Sequence, residues 1–202
     1  MLTQEKSIKL LHKVHLPGHI VEHTQKVAYV CRIIADAYGK KGIVIDNNSL
    51  ICAALLHDLI RTVDFSKQAY EELCKKHKKE DIEIWEEFQK IYKGLDHSFA
   101  AYKYLYKLGE RKIALIVKKH RFDAVLSPKD KPKTIEEKIM TYADKRVLHN
   151  KIVSLKERFV DGEKRYNPDG KNPARQKRIH KKYYEIEKVI FSKIDIKPSD
   201  IK

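Results

Sequence analysis

Residues 48–60 read NSLICAALLHDLI. Apolar residues run through this stretch with no polar stripe, so the spacing predicts a helix that is apolar on every side. Such a helix belongs at the centre of a bundle, not on its surface. The turn-prone Asp46-Asn47-Asn48 precedes it. The run closes on His57-Asp58. Burying an unpaired carboxylate is costly, so an Asp at the end of such a helix calls for a partner or a metal ion. A histidine offers a neutral nitrogen and an aspartate a hard anionic oxygen. Together they suit Mn, Fe, Zn, Co or Mg better than copper.

Around that helix the periodicity is helical almost everywhere. Residues 20–38 place Val27, Val30, Ile33, Ile34 and Ala37 on one face, with Gly39 as the expected stop. Residues 66–78 and 80–92 are amphipathic and highly charged, and Trp85 reads as core. Asp96 caps a helix running to Leu108, and Gly109 ends it. Residues 110–121 carry Ile113, Ile116 and Val117. Thr134 with Glu137 fits a capping box opening a helix to about His149. Asn172-Pro173 fits a cap with proline in the first turn of a last helix, to about Lys193. Strand signals are sparse, with Ile43-Val44-Ile45 the only short β-branched run.

The 202 residues suggest one domain, or one domain with a modest extension. Apolar residues make up 42% of the chain, which excludes a wholly disordered polymer. LICAALL, residues 50–56, is the longest clean apolar run and is far short of a membrane span. The first residues show no separate apolar segment of a signal peptide. Cys31, Cys52 and Cys74 form no CxxC pair, which argues against a disulfide framework or a cysteine zinc site. These features lead us to expect a cytoplasmic protein. The 43 Lys and Arg against 28 Asp and Glu give a net charge of +15. That surplus suits an anionic partner such as a phosphorylated metabolite, a nucleotide or a nucleic acid, and equally a lysine-rich solvated surface. Residues 150–190 are locally the more basic, with twelve Lys or Arg against six Asp or Glu.

His23, in VEHTQKVAYV, and Asp144, in TYADKRV, each interrupt an otherwise apolar helical stripe. A His from one helix, a His-Asp pair from a second and an Asp from a later one converge readily in a helical bundle, where metal sites are built from facing helices. In this order, with LLHDL after an apolar helix and YADKRV later, the sequence resembles the HD-domain metal-dependent phosphohydrolases. The resemblance spans about His19 to Tyr166. It implies an all-α helical bundle in which His23, His57, Asp58 and Asp144 ligate a metal. His97 and His120 fall between the last two of these landmarks. In the two-metal subgroups, such as the HD-GYP cyclic-dinucleotide phosphodiesterases and the HD-type diadenosine tetraphosphate hydrolases, two histidines occupy that interval. The resemblance thus implies that His97 and His120 hold a second metal and that Asp58 bridges the pair. The Gly-Tyr-Pro hallmark of the HD-GYP type is absent, so that substrate is not carried over.

The expected activity is hydrolysis of a phosphate ester or anhydride of a nucleotide-like substrate by metal-activated water, with a diester or pyrophosphate favoured over a monoester. Asp58 and Arg61 are the candidate catalytic residues. Arg61 stands one turn after the His-Asp pair, suited to clamping a phosphate, where many relatives have Lys. His19, Arg61, Arg121 and Lys145 are candidate substrate contacts. His12, His77, His149 and His180 lie among basic residues and read as surface. Arg158, Arg165 and Tyr166, in residues 151–166, could close over the site or form surface salt bridges. The expected organisation is an HD domain over residues 1–166 and a basic helical extension, residues 167–202, packed on it. The competing reading is a metal-stabilised binding module that meets RNA or a protein partner through its basic face. Oligomeric state is open.

Overall fold

The computed structural model describes residues 2–202 and is built almost wholly of helices. α1 (Gln4–Lys13), α2 (Gly18–Lys40) and α3 (Asn47–Leu56) open the chain. α4 (Lys67–Cys74) and α5 (Lys79–Ile91) follow after a 3-10 turn, Arg61–Asp64. α6 (His97–Lys107), α7 (Arg111–Lys118) and α8 (Ile135–Asp144) complete the central bundle. A two-stranded antiparallel ribbon, β1 (Val147–Leu148) and β2 (Lys151–Ile152), leads to α9 (Leu155–Tyr166) and α10 (Pro173–Phe191).

α3 is the axis of this arrangement. Every residue from Ser49 to Leu56 is buried, and the helix packs against α1, α2, α7 and α8. Asp46 caps it, accepting a hydrogen bond from the Ser49 amide at 2.9 Å, and Lys112 pairs with the same carboxylate. That charge pair and the cap hydrogen bonds hold the Asp46 carboxyl below its usual range despite burial. α8 opens with the expected capping box, Thr134 with Glu137. α10 packs on α8 and α9 through one face, with Ile179, Tyr183 and Ile190 buried.

Several boundaries differ from expectation. α2 runs through Gly39 to Lys40, because glycine with ordinary helical dihedrals merely weakens a helix. α3 ends at Leu56 rather than residue 60, and α8 ends at Asp144 rather than His149. In both places the backbone turns where ligand-type side chains occur. β1–β2 and α1 were not legible as elements, the ribbon being only two residues a side. Ile43-Val44-Ile45 forms no strand. Asn172 adopts a left-handed conformation (φ 52°) and its side chain makes no cap hydrogen bond, leaving Pro173 alone to start α10. Trp85 is core, as expected, and donates from Nε1 to the His15 carbonyl. No helix among the described residues is long and apolar enough to cross a membrane.

Candidate metal centre

His23, His57, Asp58, His97, His120 and Asp144 come from five parts of the chain and meet at one place. α2 carries His23 on its second turn. His57 is the residue on which α3 ends, and its ring Nδ1 lies 2.8 Å from the carbonyl of Ala54, three residues back. His120, just past α7, repeats this device at 2.6 Å from the Val117 carbonyl. Carbonyls left free at a helix end accept such bonds. His97 starts α6, and its Nδ1 lies 2.6 Å from Asp64 Oδ2. His23 Nδ1 lies 2.8 Å from the carbonyl of His149.

These four contacts fix the tautomers. A carbonyl or a carboxylate only accepts, so Nδ1 of each ring carries a proton, and Nε2 of each neutral ring presents a lone pair. All four Nε2 atoms point into the cluster. Those of His97 and His120 stand 3.2 Å apart. His57 Nε2 is buried with no hydrogen-bond partner. Asp58 lies among them, with Oδ1 3.3 Å from His97 Nε2 and 3.8 Å from His120 Nε2, and Oδ2 3.6 Å from His57 Nε2. Asp144 Oδ1 is 3.2 Å from His23 Nε2 and 3.6 Å from His57 Nε2. The donor atoms of His23, His57 and Asp58 all lie within 4.8 Å of one another, and so do those of Asp58, His97 and His120. The two trios share Asp58. Imidazole nitrogens gathered round shared carboxylates, one of them buried with no hydrogen-bond partner, are the pattern that a divalent cation satisfies, so the donor set fits a metal.

The electrostatics are consistent with this. Burial, with His57 and His97 adding repulsion, pushes His120 down to about 3. Burial also lowers His57. Burial works against ionising Asp58, but His57, His97 and Arg61 outweigh it and hold the carboxyl well below the usual range. Asp144 is held down likewise by Lys145, His23 and His57. Neutral imidazoles and ionised carboxylates are the states in which these groups ligate. His23 is the exception. Burial lowers it, yet its bond to Asp144 and the charges of Asp144 and Asp58 leave it raised.

His23, Asp58, His97, His120 and Asp144 line a cavity of about 830 Å³. Arg61, Arg121, Lys145 and His19 all line it. Each of the three cations is already matched. Arg61 pairs with Asp64 and lies over Phe65. Arg121 pairs with Asp123 and Asp96. Lys145 is buried against Asp144.

Asp64 escaped the sequence reading. It accepts from the His97 ring and from the His97 backbone amide at 3.0 Å, and it holds Arg61. Its only sequence signal is an acid six residues after Asp58, and its partner is remote. Two of the histidines expected at the surface belong to the cavity. The His149 side chain is exposed, but its carbonyl orients His23 from a left-handed residue (φ 57°). His180 lies flat on Phe159, ring centroids 4.0 Å apart, and lines the cavity. His77 is partly buried, its ring against the Leu73 carbonyl and edge-on to Trp85. The three cysteines are free.

A family model described as the HD domain matches residues 20–147, well over half of the chain. No curated protein and no solved structure matches it.

Proposed function

The chain belongs to the HD-domain family, a superfamily of metal-dependent hydrolases, and from that premise we propose that it is a phosphohydrolase with a two-metal centre. The substrate is a phosphate ester or phosphoanhydride of a nucleotide-like molecule. The observation that carries this reading is that the Nε2 atoms of His57, His97 and His120 all face Asp58, the residue common to both trios of donors. His23, His57, Asp58 and Asp144 would hold one ion, and Asp58, His97 and His120 the other. Mn, Fe, Co or Zn suits this nitrogen-rich set, and Mg suits it less. Two bound divalent ions supply hydroxide near neutral pH and polarise a phosphoryl oxygen.

The chain's own groups do the positioning. Asp64 fixes the His97 ring and at the same time holds the Arg61 guanidinium at the cavity wall. Arg61 then meets a phosphoryl oxygen with a fork whose direction is set before substrate arrives, which limits the entropy lost on binding. Arg121, Lys145 and His19 are placed to contact the rest of the substrate. Residues 1–166 carry the centre, and residues 167–202 are an extension packed on it.

Elemental analysis of protein purified without chelator and without oxygen tests the reading. About two ions per chain support the shared-Asp58 centre. About one restricts the centre to the His23 trio and favours a monoester substrate. None, even after adding Mn or Fe, overturns the enzyme reading in favour of a binding module.

A further inference from the structure

The cavity has a second wall, and the family match does not reach it. α9 and α10 lie beyond residue 147, yet Arg158, Phe159, Arg165, Gln176 and His180 line the cavity with the His/Asp cluster. On the cluster's side Arg61, Arg121 and Lys145 are each paired with carboxylates. On α9 the pairing is incomplete. Asp161 is engaged by Arg165, whose Nε donates to it at 2.7 Å. Arg158 reaches the same carboxylate oxygen only at 3.8 Å, a separation too long for a hydrogen bond.

The Arg158 Nε is moreover buried with no hydrogen-bond partner, in a side chain only 18% exposed. Leaving a buried donor of a charged group unpaired is costly, and sites that tolerate it commonly await an acceptor. The wall carrying Arg158 is stiff. Phe159 is stacked on His180 of α10, with rings parallel to within 1°, and lies edge-on to Phe122 and Tyr183. Tyr183 is itself fully buried behind that wall. Burial and then the charge of Asp144 raise its hydroxyl well above the usual range, while Arg158 opposes them.

A guanidinium that is mostly buried, incompletely paired and set in the wall of a cavity also lined by a metal-type cluster suits a phosphate oxygen. We propose that Arg158, assisted by Arg165, forms a second anion subsite in this cavity. The substrate is therefore an oligophosphate, a chain of linked phosphoryl groups with one at the His/Asp cluster and a later one at α9. This rests on the phosphohydrolase reading and narrows it away from simple monoesters.

The test is titration calorimetry of the full chain loaded with Mn, using orthophosphate and tripolyphosphate as probes. It is repeated on Arg158→Gln, Arg158→Lys and Arg165→Gln, and on metal-free protein. The wild type is expected to prefer tripolyphosphate by about tenfold or more. Arg158→Gln removes that preference and leaves orthophosphate affinity unchanged. Arg158→Lys recovers only part of it, because a point charge replaces the fork. A wild type with no preference overturns the subsite, as does an Arg158→Gln variant that keeps the preference or that weakens both probes alike. Should Arg158→Gln fail to fold, the more exposed Arg165→Gln decides, and an unchanged preference there counts against the subsite. Orthophosphate that binds no better with Mn than without overturns the phosphohydrolase reading instead, whatever Arg158 does to tripolyphosphate.

Discussion

α3 and α10 both rest on α8, and they do so in opposite ways. α3 is short and buried on every side from Ser49 to Leu56. α10 is nearly twice as long and buries only Ile179, Tyr183 and Ile190. The first can deliver His57 and Asp58 to the cluster from a helix that presents no side to solvent. The second lays one stripe on the bundle, keeps its charges in water and offers Gln176 and His180 to the cavity. A helix apolar all round places chemistry, whereas an amphipathic one covers it.

The sharpest way to break this contrast is at the end of α3. Asp58→Ala removes the one residue shared by both donor trios, and turnover should fall by a thousandfold or more, on the order of the effect of losing metal-activated water. Helix content by circular dichroism should be kept, and metal content should drop with activity. Full activity in a clean preparation would refute the assignment of the centre. Within α3 itself, Leu50→Ala should cost about 2–5 kcal/mol in denaturant unfolding, because the fully buried site cannot collapse around the loss.

Asp64→Asn comes next. The His97 ring loses its charged acceptor, and metal affinity should fall about 10–100-fold by competition with a chelating dye. His57 and Asp58 are untouched, so about one ion should stay tightly held under the two-ion reading.

pH offers a smaller effect, on the order of 1 kcal/mol for each unit of pH. In metal-free protein His57 and His120 are lowered, so below their ordinary value of 6.5 the unfolded chain binds protons that the native one refuses, and stability falls with acid. His23 is raised, so its contribution is full below 6.5 and fades as pH climbs through the raised value. These groups together should give metal-free protein a stability maximum around 6.5. Metal binding must displace the His23 proton, so loaded protein should gain melting temperature as pH rises through that range. Parallel melting curves of the two forms would contradict this. At the weak end, Val189→Ala on the half-exposed side of α10 should shift stability by no more than about 0.5 kcal/mol.

Particular residues show how far the sequence carried. The helical bundle was legible because periodicity is a local property, and α3, the Asp96 cap and the Thr134 box behave as their residues dictate. The six residues that meet in the cluster were legible by type and order. Their geometry was not. The carbonyls of Ala54 and Val117 turn two rings through bonds three residues long, which no pattern announces. Asp64 grips His97 across 33 residues, and His149 orients His23 across 126.

Residue types alone set the central helix, the candidate donors and the charge surplus, because burial pattern, ligand chemistry and net charge are properties of residue types. It took the packing of distant segments to set which nitrogen of each histidine faces the cluster, which cations are already paired with carboxylates and that α9 lines the cavity. Those depend on partners distant in the chain, and the packing of helices is what brings such partners within hydrogen-bond range.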